Sequence, residues 1–469
     1  MNAWFPRVTL HSLVVAISVL VYVLTTRAEH ERRPPSIAIA WVLGMIAVPY
    51  LALPTYLLFG RRKLPRRVLP SSGVCAHCAH WAEDLIESFG LAPSALSSVR
   101  LHRDGDESAA ALFATMSSAI GRLDICTYIL GNDAFGREAM QRMIERARSG
   151  VQVRLLIDGV GAMQLPHSCF KQLNGAGIQT AIFSPLFARK TQGPRNLRNH
   201  RKMVIADGAQ LWAGGRNLAA EYFIGLKGAK PWRDLSFDLQ GPVAAAAAAQ
   251  FEADWVAAGG KPAAGGGGAS PKGVIPDAVG QVVGAAAPPD AGGRAQFLPS
   301  GPDQAEDTVH ALLIDACFHA RERLLVVTPY FVPDTSLETA MRLAAHRGVR
   351  IDLCIPAVSN HRLADFARNR ALRALGMAGV NIHLLPYMNH AKAVVFDESL
   401  AISGSVNLDS RSLLLNYECA VVFYGAREID WLANWIEELI PETQPFDYRP
   451  PGLWRDIGEG LLLTVAYQL

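Results

Sequence analysis

Two long apolar stretches open the chain. Val8 to Thr26 and Ile37 to Phe59 contain no formally charged residue, and each is long enough to cross a bilayer as a helix. Pro49 and Pro54 within the second stretch are expected to kink it. A cleaved signal peptide is disfavoured, because no small-x-small cleavage site follows the first stretch and a second apolar stretch comes at once. The pattern predicts a transmembrane hairpin within residues 1–70.

The basic residues around this hairpin predict its orientation. Those outside it number six, against three in the connecting loop: Arg7, Arg61, Arg62, Lys63, Arg66 and Arg67, against Arg27, Arg32 and Arg33. The excess places both ends on the cytoplasmic side. We therefore expect a multi-pass membrane protein whose chain after about residue 70 is cytoplasmic, with a basic flank that can also contact anionic headgroups.

From about residue 100 the hydrophobic pattern occurs twice. Each pass has an apolar strand, an amphipathic helix and a second apolar strand: Ile125 to Leu130, Arg137 to Ser149 and Gly150 to Asp158, then Leu324 to Phe331, Leu337 to Arg347 and Gly348 to Ile355. Short strands alternating with helices of this length favour α/β units around a mixed sheet.

The predicted fold class is therefore α/β, with two halves related by a pseudo-twofold axis, each a mixed β-sheet flanked by helices. Gly259 to Gly293 is rich in Gly, Ala and Pro, which indicates a linker between the halves. The predicted domains are the hairpin at 1–70, a first half at 71–258, the linker at 259–293 and a second half at 294–469.

Composition narrows the classes of function. The chain has 45 basic and 42 acidic residues, a net charge of +3, so the broad basic surface of a nucleic-acid binder is not expected. Seven scattered cysteines favour a reduced compartment. Cys75 and Cys78 stand in a CxxC arrangement beside histidines, but no second ligand pair follows. No metal site is therefore predicted, and a turn with reduced thiols is the favoured interpretation.

One chemical motif lies in each half. The first is His200-Arg-Lys202-Met-Val-Ile-Ala-Asp207, followed by Gly214-Gly-Arg-Asn217. The second is His390-Ala-Lys392-Ala-Val-Val-Phe-Asp397, followed by Gly404-Ser-Val-Asn407. All spacings from His to Asn are identical, which excludes coincidence.

Strand geometry predicts how these residues point. Residues i and i+2 share a face of a strand, so His200 and Lys202 point together, as do His390 and Lys392. The aspartates of the predicted catalytic motif, Asp207 and Asp397, fall on the opposite face or beyond the strand end. We expect them to act as structural or electrostatic supports. Asp207-Gly208 predicts a hairpin turn that returns Gly214 to Asn217 beside the first motif.

Two histidines, two lysines and two asparagines suit a phosphodiester. Lysine and amide donors, here Asn217 and Asn407, would neutralise non-bridging oxygens as charge builds at phosphorus. One neutral histidine would attack phosphorus while the other, protonated, donates to the leaving alkoxide. No metal or other cofactor is required. Asp234 and Glu418 are candidate orienters of the rings, with surface salt bridges as the alternative.

The chain resembles the phospholipase D superfamily and, within it, the bacterial cardiolipin synthases. The superfamily motif leaves lipases, nucleases and transferases open, and the narrower likeness rests on these further segments: Arg198-Asn-His-Arg-Lys202, Gly214-Gly-Arg-Asn217 leading to Glu221-Tyr222, Thr328-Pro-Tyr-Phe-Val-Pro333, Asn407-Leu-Asp-Ser-Arg411 leading to Asn416-Tyr-Glu418, Phe251-x-x-Asp254-Trp255, Ser300-Gly-Pro-Asp303 and Tyr56 to Arg61. Gly215 stands where the second motif has Ser405, a residue expected to contact phosphate.

The resemblance implies transfer of a phosphatidyl group from one phosphatidylglycerol to another, giving cardiolipin and glycerol. It implies His200 as nucleophile and His390 as acid and base, although the pseudo-symmetry leaves that assignment open. Anionic membrane lipids are the expected partners and the bacterial inner membrane the expected location. Alternatives are a phospholipase D that uses water, a transferase with another donor or acceptor, and a non-catalytic lipid-binding protein; a nuclease is less favoured.

Two segments carry further hypotheses. The approach to the first motif contains Arg189, Lys190, Arg195 and Arg198. This basic loop is either a contact for anionic headgroups or a solvated run of charge. The apolar stretch Leu461 to Tyr467 is either interfacial or core.

Overall fold

The computed structural model describes residues 10–29, 35–60, 80–185, 196–262 and 293–463. The chain begins with four helices: α1 Leu10–Glu29, α2 Pro35–Ala47, α3 Pro49–Phe59 and α4 Trp81–Ser88. The predicted basic flank at 61–67, the CxxC cysteines at 75 and 78 and the linker residues 263–292 lie outside the described residues.

The second apolar stretch is divided between two helices. Val48 separates α2 from α3 with an extended φ of −139°, as expected for a residue that precedes a proline. The helices have 13 and 11 residues, so neither has the roughly 20 residues needed to cross a bilayer. Pro54, by contrast, lies inside α3.

In the part of the chain that the structure describes, no helix combines the length and apolarity required to span a membrane. The prediction of a two-helix transmembrane hairpin is thus not supported, nor is the multi-pass topology built on it. The helices do pack together: Thr25 and Tyr56 share a hydrogen bond of 2.6 Å between their hydroxyl groups, and the rings of Tyr22 and Tyr56 are 5.3 Å apart.

The next elements form most of the first half: β1 Ala95–Leu96, β2 Ser98–His102, α5 Gly105–Ser118, β3 Arg122–Thr127, α6 Ala134–Arg148, β4 Gln152–Asp158, α7 Gly159–Ala162, α8 His167–Gly175, β5 Gln179–Phe183, β6 Met203–Ala206, β7 Gln210–Gly214, β8 Ser236–Gln240 and α9 Pro242–Ala257. Seven strands form a sheet in the order β2-β8-β7-β6-β3-β4-β5. The segment β3-β4-β5 is parallel and the others are antiparallel, so the sheet is mixed as predicted.

The second half repeats this arrangement: β9 Arg294–Ser300, α10 Thr308–His319, β10 Arg323–Val327, β11 Phe331–Val332, α11 Thr335–His346, β12 Arg350–Pro356, α12 Arg362–Ala367, α13 Asn369–Met377, β13 Asn381–Leu385, β14 Ala393–Phe396, β15 Leu400–Gly404, β16 Leu408–Asp409, α14 Ser410–Leu414, β17 Glu418–Phe423, α15 Ala426–Glu437, β18 Gln444–Pro445 and α16 Leu453–Leu463. Its sheet has the order β1-β9-β17-β15-β14-β10-β12-β13-β18. From β9 to β13 this order matches the first sheet strand for strand.

The two sheets share one hydrophobic core. A continuous cluster of buried side chains contains residues of both, such as Met203 and Phe237 with Val395 and Phe423, and residues of α9 and α15. Phe237 and Phe423 meet edge to face at 5.5 Å between ring centroids. The halves are therefore one packed unit, which brings the equivalent edges of the two sheets together.

Residues 80–96 lie on the second half, in contrast to the predicted boundary. β1 pairs with β9, and Glu83 of α4 forms an ion pair with Arg294 at 2.6 Å. Gln296 also donates a hydrogen bond to the Ala92 carbonyl at 2.8 Å. Sequence alone assigned residues 71–97 to the nearer half, because strand pairing between distant segments leaves no local signal.

Candidate active site

The two His-x-Lys segments lie just before strands rather than within them. His200 to Lys202 precede β6, and His390 to Lys392 precede β14. The backbone of each segment pairs with the opposite half: the His200 N–H donates to the Tyr417 carbonyl at 2.8 Å, and the His390 N–H to the Arg233 carbonyl at 2.6 Å. Both motifs thus sit at the junction of the halves.

Each histidine ring is held by a carboxylate of the other half. The His200 Nδ1 lies 2.9 Å from a Glu418 oxygen, and the His390 Nδ1 lies 2.7 Å from an Asp234 oxygen. Both carboxylates are fully buried, which excludes the alternative of surface salt bridges. A carboxylate at Nδ1 orients the ring and presents Nε2 for chemistry.

The two carboxylates differ by one methylene group, and the residues facing them compensate. A Cβ on Gly215 would lie 2.2 Å from the Asp234 Oδ1, so the shorter carboxylate leaves no room for a side chain there. In the second half Ser405 donates its hydroxyl proton to the longer Glu418. Ser405 therefore supports Glu418, and its predicted contact with phosphate stays a prediction.

Both lysines are buried beside their histidines. Lys202 donates to the His200 carbonyl at 2.7 Å, and Lys392 contacts the His390 carbonyl and ring. Burial lowers the pKa of Lys202 to about 8 and that of Lys392 to about 7. Each lysine also acts on the histidine of the opposite half, so all four groups converge on one space.

The histidines are neutral in this environment. Burial is the largest influence and lowers the pKa of His200, opposed by Glu418 and reinforced by Lys202. Burial and Lys392 lower the pKa of His390 to about 3. The His200 side chain is 13% exposed and that of His390 4%, so His200 is the more accessible of the two rings.

The two asparagines have protein partners. Asn217 donates from Nδ2 to the Tyr222 hydroxyl at 2.8 Å and accepts from the Ile129 N–H at 3.2 Å. Asn407 donates from Nδ2 to the Ser412 hydroxyl at 3.1 Å. Asn407 also forms a side-chain hydrogen bond with Asp409. The predicted contact of the two amides with phosphate stays a prediction.

Asp207 and Asp397 lie at the far ends of their strands. Asp207 accepts the backbone N–H groups of Ile120, Gly121 and Arg122 at 2.7–2.8 Å, and Asp397 accepts three equivalent groups at 2.8–2.9 Å. Both adopt positive φ, 53° and 49°. They brace the turn after the motif strand and are not brought to the histidines.

Aromatic residues that the motif analysis did not single out form the walls of the site. The ring of Tyr128 meets that of His200 at 5.0 Å. Around His390 stand Tyr222 at 5.1 Å, Trp232 at 5.8 Å and Tyr330 at 6.3 Å. The Thr127 and Thr328 hydroxyl groups donate to the carbonyls of Ile129 and Tyr330, so Tyr330 corresponds to Ile129 in the repeat and Tyr128 to Pro329. The repeat therefore gave no signal that could have identified the two tyrosines as a pair.

Arg201, the middle residue of the first motif, turns away from the site and joins the halves. Its guanidinium pairs with Asp254 and with Asp303, and it donates to the Glu418 carbonyl at 2.9 Å. The side chain is fully buried. Ala391 fills the equivalent position, so this contact is present on one side of the pseudo-symmetry.

Arg198 is not available to headgroups as hypothesised. It is buried and donates to the Ser184 carbonyl at 2.9 Å and to Asp158 at 3.3 Å. The other basic residues of that loop, at 189, 190 and 195, lie outside the described residues. In the described ranges no group of three or more His, Cys, Asp and Glu side chains could hold a metal ion.

Comparison with known proteins agrees with this architecture. A family model described as "Cardiolipin synthase, PLD-like domain" matches residues 112–255 and 313–440, and one described as "Phospholipase D-nuclease N-terminal" matches residues 14–61. Cardiolipin synthase A of Pseudomonas aeruginosa is 32% identical, over 93% of this chain and 91% of its own length. The enzyme of that name from Pseudomonas putida is 31% identical over 82% of each chain.

A solved structure shows the same fold. Phosphatidylserine synthase of Haemophilus influenzae aligns with a TM-score of 0.61 over 83% of this chain and 99% of its own, at 13% identity. Both halves of the chain therefore have the family's fold, and the duplicated motif lies inside the matched segments. The chain belongs to the bacterial cardiolipin synthases of the phospholipase D superfamily and is a phosphatidyltransferase of that type.

Proposed function

We propose that the protein makes cardiolipin by transferring a phosphatidyl group from one phosphatidylglycerol to the free glycerol hydroxyl of another, releasing glycerol. The observation that carries the proposal is the crossed pairing of His200 with Glu418 and His390 with Asp234. Two oriented imidazoles with two lysines suit an in-line exchange of alcohols at a phosphodiester. The family likeness favours phosphatidylglycerol as both donor and acceptor.

In the first step the neutral His200 Nε2 attacks phosphorus, and the bond to the glycerol oxygen breaks. His390, protonated once the anionic phosphodiester has raised its pKa, gives its proton to the departing alkoxide. The products are glycerol and a phosphatidyl group on His200. The cations of Lys202 and Lys392 neutralise the non-bridging oxygens as charge builds.

In the second step His390, now neutral, takes the proton of the acceptor's hydroxyl. The acceptor oxygen forms its bond to phosphorus as the bond to the His200 nitrogen breaks, which leaves both rings as they began. Asp234 and Glu418 keep the rings oriented through both steps. The greater exposure of His200 supports its role as nucleophile.

Incubation of the purified protein with labelled phosphatidylglycerol, followed by lipid analysis, tests the reaction. Cardiolipin and glycerol in equal amounts are the expected products. Phosphatidic acid alone would replace the proposal with hydrolysis, the second candidate, since a water molecule could take the acceptor's place. We propose that the reaction occurs at the bacterial inner membrane, where the lipid partners are.

Variants of the histidines test the shared mechanism. His200→Ala and His390→Ala are each expected to abolish turnover, because neither ring can replace the other within one cycle. When wild-type turnover is stopped with denaturant at alkaline pH, where a phosphorus–nitrogen bond survives, a label on phosphorus should remain attached to the wild-type protein and not to His200→Ala. Appreciable turnover by either variant would contradict the two-histidine mechanism.

A further inference from the structure

An exposed hairpin loop at residues 224–231 is attached directly to the site. Its base is closed by the Trp232 N–H, which donates to the Glu221 carbonyl at 2.8 Å. Leu226 and Ala229 pair across the tip, where Gly228 has a φ of +81°. The residues that flank the loop, Tyr222 and Trp232, both contact the His390 ring.

The side chains of this loop are apolar and basic. Ile224 is 56% exposed and Leu226 54%, although both would be favoured in a core. Lys227 and Lys230 follow them and are exposed. The loop therefore presents two large apolar groups and two cations to solvent within a few residues.

A second exposed loop, residues 357–363, ends in the first two residues of α12 and is also attached to the site. Val358 is 67% exposed and Leu363 54%, and Arg362 beside them is exposed. The loop is tied to the site by Tyr330, which donates to Asn360 at 2.5 Å. The Tyr330 ring lies 6.3 Å from the His390 ring.

Each half thus contributes one apolar and basic loop beside the same histidine. Scattered exposed apolar residues need no explanation, but clusters at a site entrance mark a binding surface. Apolar side chains next to lysine and arginine match an anionic bilayer, where the cations meet headgroups and the apolar groups enter the acyl boundary. A protein partner would not explain why both loops border a lipid-processing site.

We propose that the two loops, residues 224–231 and 357–363, form a docking rim that enters the surface of an anionic phospholipid bilayer and opens the site to lipid. The inference rests on the proposed function, because a phosphatidyl substrate has to leave the bilayer to reach His200. It assigns to these loops the contact with the membrane surface.

Quenching by brominated lipid tests the position of the rim. A bimane label is placed at Leu226→Cys or, as a matched control, at Ile120→Cys, both in the full chain with Cys75→Ser and Cys78→Ser. Ile120 is 86% exposed, but it lies beside Asp207, at the strand end remote from the histidines. In reconstituted vesicles with bromine-labelled tails, the label at 226 should be quenched and the label at 120 should not. Equal quenching at both positions, or no quenching at position 226, would contradict the proposal that these loops enter the bilayer surface.

Turnover provides the second readout. The quantity to compare is the ratio of turnover on phosphatidylglycerol vesicles to turnover on dissolved short-chain phosphatidylglycerol. The double variant Ile224→Ser, Leu226→Ser should lower this ratio by about tenfold or more, because only the vesicle substrate requires docking. Ile120→Ser with Phe318→Ser, two exposed residues at the remote strand ends, should keep the ratio. An unchanged ratio in the loop variant would contradict the proposal. The quenching measurement does not depend on catalysis. If the wild-type protein made no cardiolipin but the label at 226 were quenched, the proposed function would be refuted and the docking rim would still be supported.

Discussion

At the residue scale, the site depends on matched pairs of side chains. The shorter Asp234 faces Gly215, and the longer Glu418 faces Ser405. The two halves therefore contact the opposite histidine with carboxylate side chains of different length. The pKa of Asp234 is held below its usual range because Lys392 and His390 together outweigh the effect of burial. His200 and Lys202 likewise outweigh burial and hold the pKa of Glu418 low. Both carboxylates are therefore ionised when they bind the rings.

Neutralising either carboxylate should impair catalysis more than folding. Asp234→Asn and Glu418→Gln keep shape but present an amide that can bind the ring in the wrong tautomer. We expect kcat/KM to fall by about 10²-fold or more, within the range that oriented acid–base groups contribute. Turnover of phosphatidylglycerol measures the effect, with thermal unfolding as the control for the fold. Variants with wild-type kcat/KM would show that the crossed pairing does not orient the rings.

Activity should decline on the alkaline side of neutrality. The pKa of Lys392 is lowered to about 7 and that of Lys202 to about 8, so both are cationic below these values and lose their charge as pH rises through them. Since kcat/KM reports groups of the free enzyme, it should fall above about pH 7–8. Lys392→Arg should move this limb to higher pH, because arginine stays charged. A flat profile between pH 6 and 9 would argue against cationic lysines.

At the element scale, the hairpin of β6 and β7 positions the first motif. Asp207 and Gly208 both have positive φ, 53° and 68°, which two-residue turns of type I′ require. The Asp207 carboxylate then fastens the turn to the start of β3. Since β6 is short, Lys202 enters the site only if this far end stays in register.

Asp207→Ala should lower stability without removing the chemistry. Three hydrogen bonds to a carboxylate would be lost, but the group is exposed, so the expected cost is about 1–2 kcal/mol after solvent screening. The backbone N–H groups hold the pKa of Asp207 low despite partial burial. The stability that the Asp207 carboxylate contributes is fully present above the pKa of the unfolded state and is lost as pH falls through the pKa of the folded state. The difference in free energy of unfolding between wild type and Asp207→Ala should therefore shrink in acid. Denaturation at pH 7 and in acid measures this, and Asp207→Asn, which tolerates positive φ, should lose less.

At the scale of the whole molecule, contacts across the halves hold the site together. The shared core, the pairing of β1 with β9 and the buried Arg201 cluster all join segments distant in sequence. Removing one partner from a buried ion pair costs about 3–5 kcal/mol. The linker is not needed for any of these contacts.

Cleavage of the linker should therefore leave an active enzyme. With a protease site inserted at Gly265 to Gly268, the cut protein should elute from a size-exclusion column as one particle and keep its turnover. The reason is that the packed interface between the halves holds the two fragments together without the covalent link. The uncut variant is the control. Separation of the fragments without denaturant, or loss of activity on cutting, would show that the interface needs the linker.

Much of this protein could be predicted from its sequence. The repeat predicted two α/β halves with mixed sheets, and identical motif spacings identified both histidines and both lysines. These features depend on periodicity and spacing, which are local. The second apolar stretch was predicted as one spanning helix kinked by its prolines, but it is divided at Val48, before Pro49, into two short helices. No described helix has the length and apolarity to span a membrane, so the predicted hairpin is not supported.

The sequence by itself determined that the chain has two repeated α/β halves and which side chains are candidates for the chemistry. Only the tertiary structure decided that Glu418 serves His200 and Asp234 serves His390, that residues 80–96 pack on the second half and that Ser405 faces a carboxylate. Such choices depend on how two packed halves oppose each other. No local pattern encodes them, because the free energy of burying one sheet against another is a property of the assembled surfaces.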